Sequence, residues 1–135
     1  MSTFHKVFFG VFVLIIIVGI GITYVRKQAI LENHELTTGY YLEILRGVKT
    51  GGGIKFSYFI DGARYVELCQ APKVSCERIL RANKDVLKRI QFPVVYEVDN
   101  PGHSEILLFA SQYEKYNLAV PDSLFEVVAQ LSSCE

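Results

Sequence analysis

The chain has no surplus of either charge, holding 14 Lys and Arg against 14 Asp and Glu in 135 residues. Binding to nucleic acid without regard to base sequence draws on neutralised phosphates, so a balanced chain lacks that footprint and nucleic acid is set aside as a partner. Motifs of common chemistry are missing too. There is no Walker, dinucleotide or zinc-hydrolase pattern, and the triplet Gly51 to Gly53 is not followed by the Lys and Ser or Thr of a phosphate loop. The histidines, His5, His34 and His103, are scattered: the first two flank the apolar N-terminal stretch and the third lies in a turn, so they make no ligand cluster or relay. His103 and Ser104 adjoin, but neighbours in an extended chain point to opposite sides, and no nucleophile elbow surrounds them. No catalytic, cofactor-binding or metal-binding residue is therefore expected, no small-molecule substrate is inferred, and the chain reads as a non-enzyme. Internal repeats are absent, and the glycine triplet is the only low-complexity tract.

What the sequence has in excess is apolar character, 50% hydrophobic against 21% charged residues, too much for a disordered chain. The excess sits in Val7 to Val25 (VFFGVFVLIIIVGIGITYV), a run without a charge. As a helix this run covers about 28 Å, close to the hydrocarbon thickness of a bilayer, and predicts a transmembrane segment. Lys6 before it, Tyr24 at its end, and Arg26 and Lys27 after it serve as interfacial anchors. A cleaved secretory signal would need a small-x-small site beyond a shorter apolar run; Gly19-Ile20-Gly21 is the only match and lies inside it. A lipoprotein signal would need a Cys directly after the run, whereas the first is Cys69. With no ionisable residue inside the span and only Gly19 and Thr23 as a small-xxx-small pair, the helix is an anchor rather than a transport path or a dimer seam. The positive-inside count is a tie, leaving a weak lean to an extracytoplasmic soluble part. The expected organisation is a transmembrane anchor over 1–27, a connector over 28–36 and a soluble domain over 37–135, large enough for one small core.

The soluble part reads as mainly β with α. Thr37 to Val48 is rich in β-formers, and the turn Thr50-Gly51-Gly52-Gly53 must end it. Ile54, Phe56, Tyr58 and Ile60 then alternate with Lys55, Ser57 and Phe59, the period of a half-buried strand. Asp61-Gly62 suits a type I′ turn, and Ala63 to Leu68 returns as its partner strand. Pro72 and an N-cap Ser75 announce a helix whose Cys76, Ile79, Leu80, Asn83, Val86, Leu87 and Ile90 form an apolar stripe. Phe92 to Val98 and Ser104 to Phe109 are the last strands, separated by the turn Asp99-Asn100-Pro101-Gly102. Ser111 to Asn117 reads as an irregular turn and Pro121 to Leu131 as a short closing helix. The sum is a small five-stranded, partly open β-barrel with one inserted amphipathic helix and a short C-terminal helix.

The hairpin residues Phe56, Tyr58, Ile60, Asp61, Gly62 and Tyr65, followed by Val94, Tyr96, Asn100, Pro101, Ser104 and Ile106, carry a resemblance. Over Gly39 to Phe109 the chain resembles small bacterial proteins with one N-terminal membrane helix and an uncharacterised SH3/OB-like β domain. These are turn and core residues, so the resemblance implies a fold and no activity. The chain departs from the pattern in its longer spacer, Ala71 to Ile90, whose helix is the variable, partner-facing part. Its polar side carries Arg78, Arg81, Lys84 and Lys88 as the candidate partner surface; Glu77 and Asp85 interrupt it, so a plain solvated face is the competing reading.

Cys69 and Cys76 bracket the loop containing Pro72. Outside the cytoplasm a disulfide between them is reasonable; in the cytoplasm Cys76 would be a thiol with a pKa lowered by the helix N-terminus; otherwise both are small core residues. Cys134 is expected to be unpaired. The function this supports is a membrane-anchored, non-enzymatic binding module for an unknown protein partner, an immunity-type factor being one case. The alternative is a structural or accessory subunit of a membrane complex.

Overall fold

The computed structural model describes residues 3–46, 52–71 and 73–135, with side chains described except at 3–5, 23 and 25–29. Val48, Thr50, Gly51 and Pro72, invoked above for strand, turn and helix starts, lie outside the described residues, as do the side chains of Arg26 and Lys27. The chain opens with a helix, α1 (Thr3–Glu32), that continues straight into strand β1 (His34–Leu45). The connector expected over 28–36 is therefore mostly helix, because Ile30 is 4% exposed and docks on the domain core. Upstream the helix is bare. From Val7 to Ile22 its large apolar side chains are exposed on every side, Phe8 at 68% and Ile20 at 66%. Among the described residues no helix is long and apolar enough to cross a membrane. The transmembrane anchor expected over 7–25 is therefore not shown by the described residues.

The domain is a five-stranded antiparallel, nearly closed barrel-like sheet with helices, in the order β3-β2-β1-β4-β5. Its hairpin pairs β2 (Gly53–Ile60) with β3 (Ala63–Gln70) from Gly53↔Gln70 to Ile60↔Ala63. Asp61 and Gly62 close it at φ 50° and 81°, both positive as a type I′ turn demands. The period-two reading of β2 holds at Ile54, Phe56 and Tyr58, which are fully buried, and at Phe59, 52% exposed on the other face, but Ser57 on that face is buried. Tyr58 stacks between Phe56 and Tyr65, at ring separations of 5.7 and 5.3 Å, and donates its hydroxyl to the Pro101 carbonyl across the barrel.

Strand β1 holds the barrel together by pairing on both edges, with β2 over Gly39 to Leu45 and with β4 (Gln91–Glu97) over His34 to Tyr40. Where the two ladders overlap it must run close to both neighbours. A Cβ at Gly39 would lie 2.6 Å from the Ser57 carbonyl oxygen and 2.7 Å from a Val94 methyl, so only glycine fits. β5 (Asn100–Ile106) pairs with β4 and returns beside β3, with Gly102 against the Glu67 carboxylate. It starts earlier than expected: Pro101 and Gly102, read as turn, are strand residues, while Leu107, Leu108 and Phe109, read as strand, are buried beyond its end.

The spacer helix is broken in two, α2 (Val74–Ala82) and α3 (Lys84–Leu87), at Asn83, which sits at φ −106° and returns its side-chain amide to the Ile79 carbonyl at 2.8 Å. Because of this break Val86 swings out to 54% exposure, while Cys76, Leu80 and Leu87 stay buried. The expected N-cap role of Ser75 fails as well: Lys73 is the cap residue, and the Ser75 hydroxyl donates to the Cys134 carbonyl at 3.1 Å. Two further helices, α4 (Ala110–Lys115) and α5 (Phe125–Leu131), close the domain. They add Tyr113, Val128 and Leu131 to the core. The first replaces the irregular turn expected there.

Gly39→Val is expected to destabilise the domain more than Gly62→Val. The former overpacks a closed site at a cost of about 1–3 kcal/mol, and the latter strains a turn open to solvent by about 1 kcal/mol. Thermal melts of the two variants check the order, and an equal or reversed ranking would show that β1 can relax at Gly39.

Candidate functional site

The four cations expected to meet a partner are brought to one end of the barrel. Arg78 and Arg81 lie on α2, Lys84 and Lys88 on or after α3, and all four are exposed. Two adjoining clefts share Arg81. One, of about 320 Å³, is walled by Arg46, Val74, Glu77, Arg78 and Arg81. The other, of about 220 Å³, lies between residues 41–44 of β1 and the side chains of Arg81, Lys84 and Lys88. Charge there is one-sided. Glu77 pairs with Arg81 at 2.8 Å, and Glu43 turns to Lys55 at 3.6 Å; among the described residues Arg46, Arg78, Lys84 and Lys88 have no ion-pair partner. Burial pushes the Tyr41 phenol pKa up while the nearby Arg81 charge opposes the shift. Arg46 was missed in the sequence because it follows a strand whose end was read beyond it.

The position of these clefts follows from β1. Leaving α1 at His34 and rising about 3.3 Å per residue, β1 reaches Tyr41 about 23 Å from its start. The basic clefts thus lie at the end of β1 remote from α1.

The cysteines are paired otherwise than expected. Cys76 joins Cys134 with Cα atoms 5.0 Å apart, and Cys69 is free. The proposed Cys69–Cys76 bridge is corrected for a physical reason. Cys69 packs against the core beside Ile106 of β5, where burial pushes its thiol pKa up to about 12, whereas Cys76 in the first turn of α2 faces the C-terminal segment. The Ser75 hydroxyl holds that segment at the Cys134 carbonyl, and the Gln130 amide reaches Asn83 at 3.4 Å. A raised pKa makes Cys69 a poor nucleophile at neutral pH.

A third hollow, of about 370 Å³, lies at the seam of β3 and β5, walled by Cys69, His103, Glu105, Lys115, Tyr116 and Ile30. Ser104 lines it too, and its buried hydroxyl has no hydrogen-bond partner among the described residues; the charged and amide groups around it satisfy one another. Glu105 accepts from the Tyr116 hydroxyl at 2.5 Å, the Gln112 amide at 2.9 Å and the Lys115 ammonium at 3.0 Å. His103 pairs with Glu97 at 2.9 Å. Gln112 is buried and also accepts from the Leu108 and Phe109 amides at 2.8 and 2.9 Å, which ties α4 to the end of β5. Burial opposes ionisation of Glu105, but the hydrogen bonds from Tyr116 and Gln112 and the Lys115 charge outweigh it, so its pKa falls below the ordinary value. No sequence motif marks this hub, because its members come from β5 and α4 at spacings no local pattern links. Among the described residues no three of His, Cys, Asp and Glu converge to hold a metal ion.

Comparison with known proteins finds no matching family model, no matching curated protein and no matching solved structure. The site must be read from its own chemistry.

Two outcomes follow from this geometry. Non-reducing peptide mapping should recover the Cys76–Cys134 pair with Cys69 free. Reduction should lower stability by about 4 kcal/mol on the loop-entropy scale for the 58-residue separation. A Cys69–Cys76 peptide would overturn the pairing. For Glu105, a lowered folded-state pKa means stability that is present above the ordinary value of 4.5 and lost as pH falls through the folded value. Glu105→Gln should therefore flatten the fall in stability measured below pH 4.5, at some cost at neutral pH; an unchanged acid limb would remove Glu105 as its source.

Proposed function

We propose that this chain is a single-pass membrane protein whose α1 anchors a disulfide-closed barrel outside the cytoplasm, where the barrel is a non-enzymatic binding module for a protein partner. The observation that carries this is the contrast between the two ends of β1. At one end α1 presents exposed apolar side chains on all sides from Val7 to Ile22; a helix apolar all round is stable only inside a protein or a bilayer. At the other end lie two clefts with four cations that lack ion-pair partners among the described residues. A bilayer is the occupant that suits the first feature, because the uncharged run of the sequence extends through Val25 and matches its thickness.

The disulfide supports the extracytoplasmic side, since such bonds persist in oxidising compartments. Within the SH3/OB-like class, the OB arrangement is favoured by three features. β1 is shared by both halves, the α2–α3 segment lies between β3 and β4, and β5 returns parallel to β3. The clefts favour a protein partner over the adjacent membrane surface because they lie at the end of β1 away from α1. An immunity-type factor against a delivered toxin is one such module.

The test is a pull-down from detergent extract with full-length protein and an Arg81→Glu/Lys84→Glu variant, each also melted. Loss of the same partner bands at unchanged melting temperature is the expected result. Retained bands, or a loss that tracks unfolding, would remove the basic clefts from the function.

A further inference from the structure

The open edge of β1 gives the basic clefts a particular chemistry. β1 is laddered to β4 only as far as Tyr40, which pairs with Gln91, the first residue of β4. Beyond Tyr40 no strand lies on that edge among the described residues, and the chain leading into β4 is the short helix α3. Among the described residues, no backbone hydrogen bond outside the β1–β2 ladder reaches positions 41–45. The ladder to β2 also slips between Tyr41 and Glu43, a bulge that puts Leu42 out of register. A bulged residue leaves main-chain groups unpaired and bends its strand. The 220 Å³ cleft opens on this stretch, from Tyr41 to Ile44, with Arg81, Lys84 and Lys88 as its other wall. Its one carboxylate on the β1 side, Glu43, is turned to Lys55.

We propose that this cleft takes an extended acidic segment of a partner protein, the main chain of the segment meeting the free edge of β1 between Tyr41 and Leu45 and its carboxylates meeting Arg81, Lys84 and Lys88. The inference rests on the binding-module reading and names the recognition mode. A strand edge offers main-chain donors and acceptors that any extended peptide can use, so it supplies affinity without sequence preference. The cations supply the preference: Arg81 is already paired with Glu77, but a basic or neutral segment leaves Lys84 and Lys88 uncompensated, while an acidic one pairs with them and is steered in. Charge alone would serve a phosphate polymer or an anionic lipid equally well. The unladdered edge of β1 is what favours a polypeptide.

The experiment uses the full chain in detergent micelles and a fluorescein-labelled octapeptide of alternating Glu and Thr, read by fluorescence anisotropy. The Glu–Thr peptide is expected to bind at least tenfold more tightly than its Lys–Thr counterpart. Lys84→Glu/Lys88→Glu should weaken binding at least tenfold at unchanged melting temperature, while Arg89→Glu, outside the cleft, leaves it unaltered. Methylating alternate peptide nitrogens, which removes main-chain donors and keeps every charge, should also weaken binding at least tenfold. Absence of binding overturns the proposal. So does equal binding of the methylated peptide, or full displacement by inorganic polyphosphate together with that insensitivity, since either marks a charged patch only. If partner bands are lost on charge reversal in the pull-down while the peptide results fail, the binding module stands and this recognition mode falls.

Discussion

The double pairing of β1 at Gly39 and Tyr40 is the constraint on which the rest of the molecule depends. There one stretch of chain is laddered to β2 and β4 at once, through Gly39↔Tyr58 and Gly39↔Phe92. The sheet can curl into a near-closed barrel because β1 passes from one half to the other at this point, and the absence of a side chain at Gly39 lets Ser57 and Val94 close over it. Curling brings β5 back to β3, which creates the Glu105 hub and the inward site of Cys69. It also leaves the last residues of β1 with a neighbour on one side only, which is where the basic clefts form. Core, hub and surface site are consequences of one shared strand.

Much of the barrel was legible in the sequence because its signals are local. The alternation of Ile54, Phe56 and Tyr58 and the Asp61-Gly62 turn need no partner to be read, and both hold in the structure. The start of β5 was not legible, because Pro101 and Gly102 carry turn propensities that pairing with β4 overrides. The break at Asn83 was hidden for the same reason: the apolar spacing runs through to Ile90, while the Asn83 side chain ends the first helix by bonding back to Ile79.

The candidate site was half legible. Arg78, Arg81, Lys84 and Lys88 could be named from helical spacing, but the cleft that Arg81, Lys84 and Lys88 wall needs the bulge at Leu42 and the early end of the β1–β4 ladder, which are tertiary facts. The cysteines show the opposite failure. Sequence proximity favoured Cys69 with Cys76, yet the side of the chain on which each thiol lies decides the pairing, and α5 carries Cys134 to α2 from far along the chain.

The bond between Cys76 and Cys134 encloses α3, β4, β5, α4 and α5 in one covalent ring. A protease that cuts once between these cysteines, in the 116–121 segment or the β4–β5 turn for example, opens the ring without dividing the molecule. Both pieces stay joined to each other and to α1, and the buried face of α5 remains opposite its site at a high effective concentration. A domain so closed can be nicked at its surface and still hold its shape.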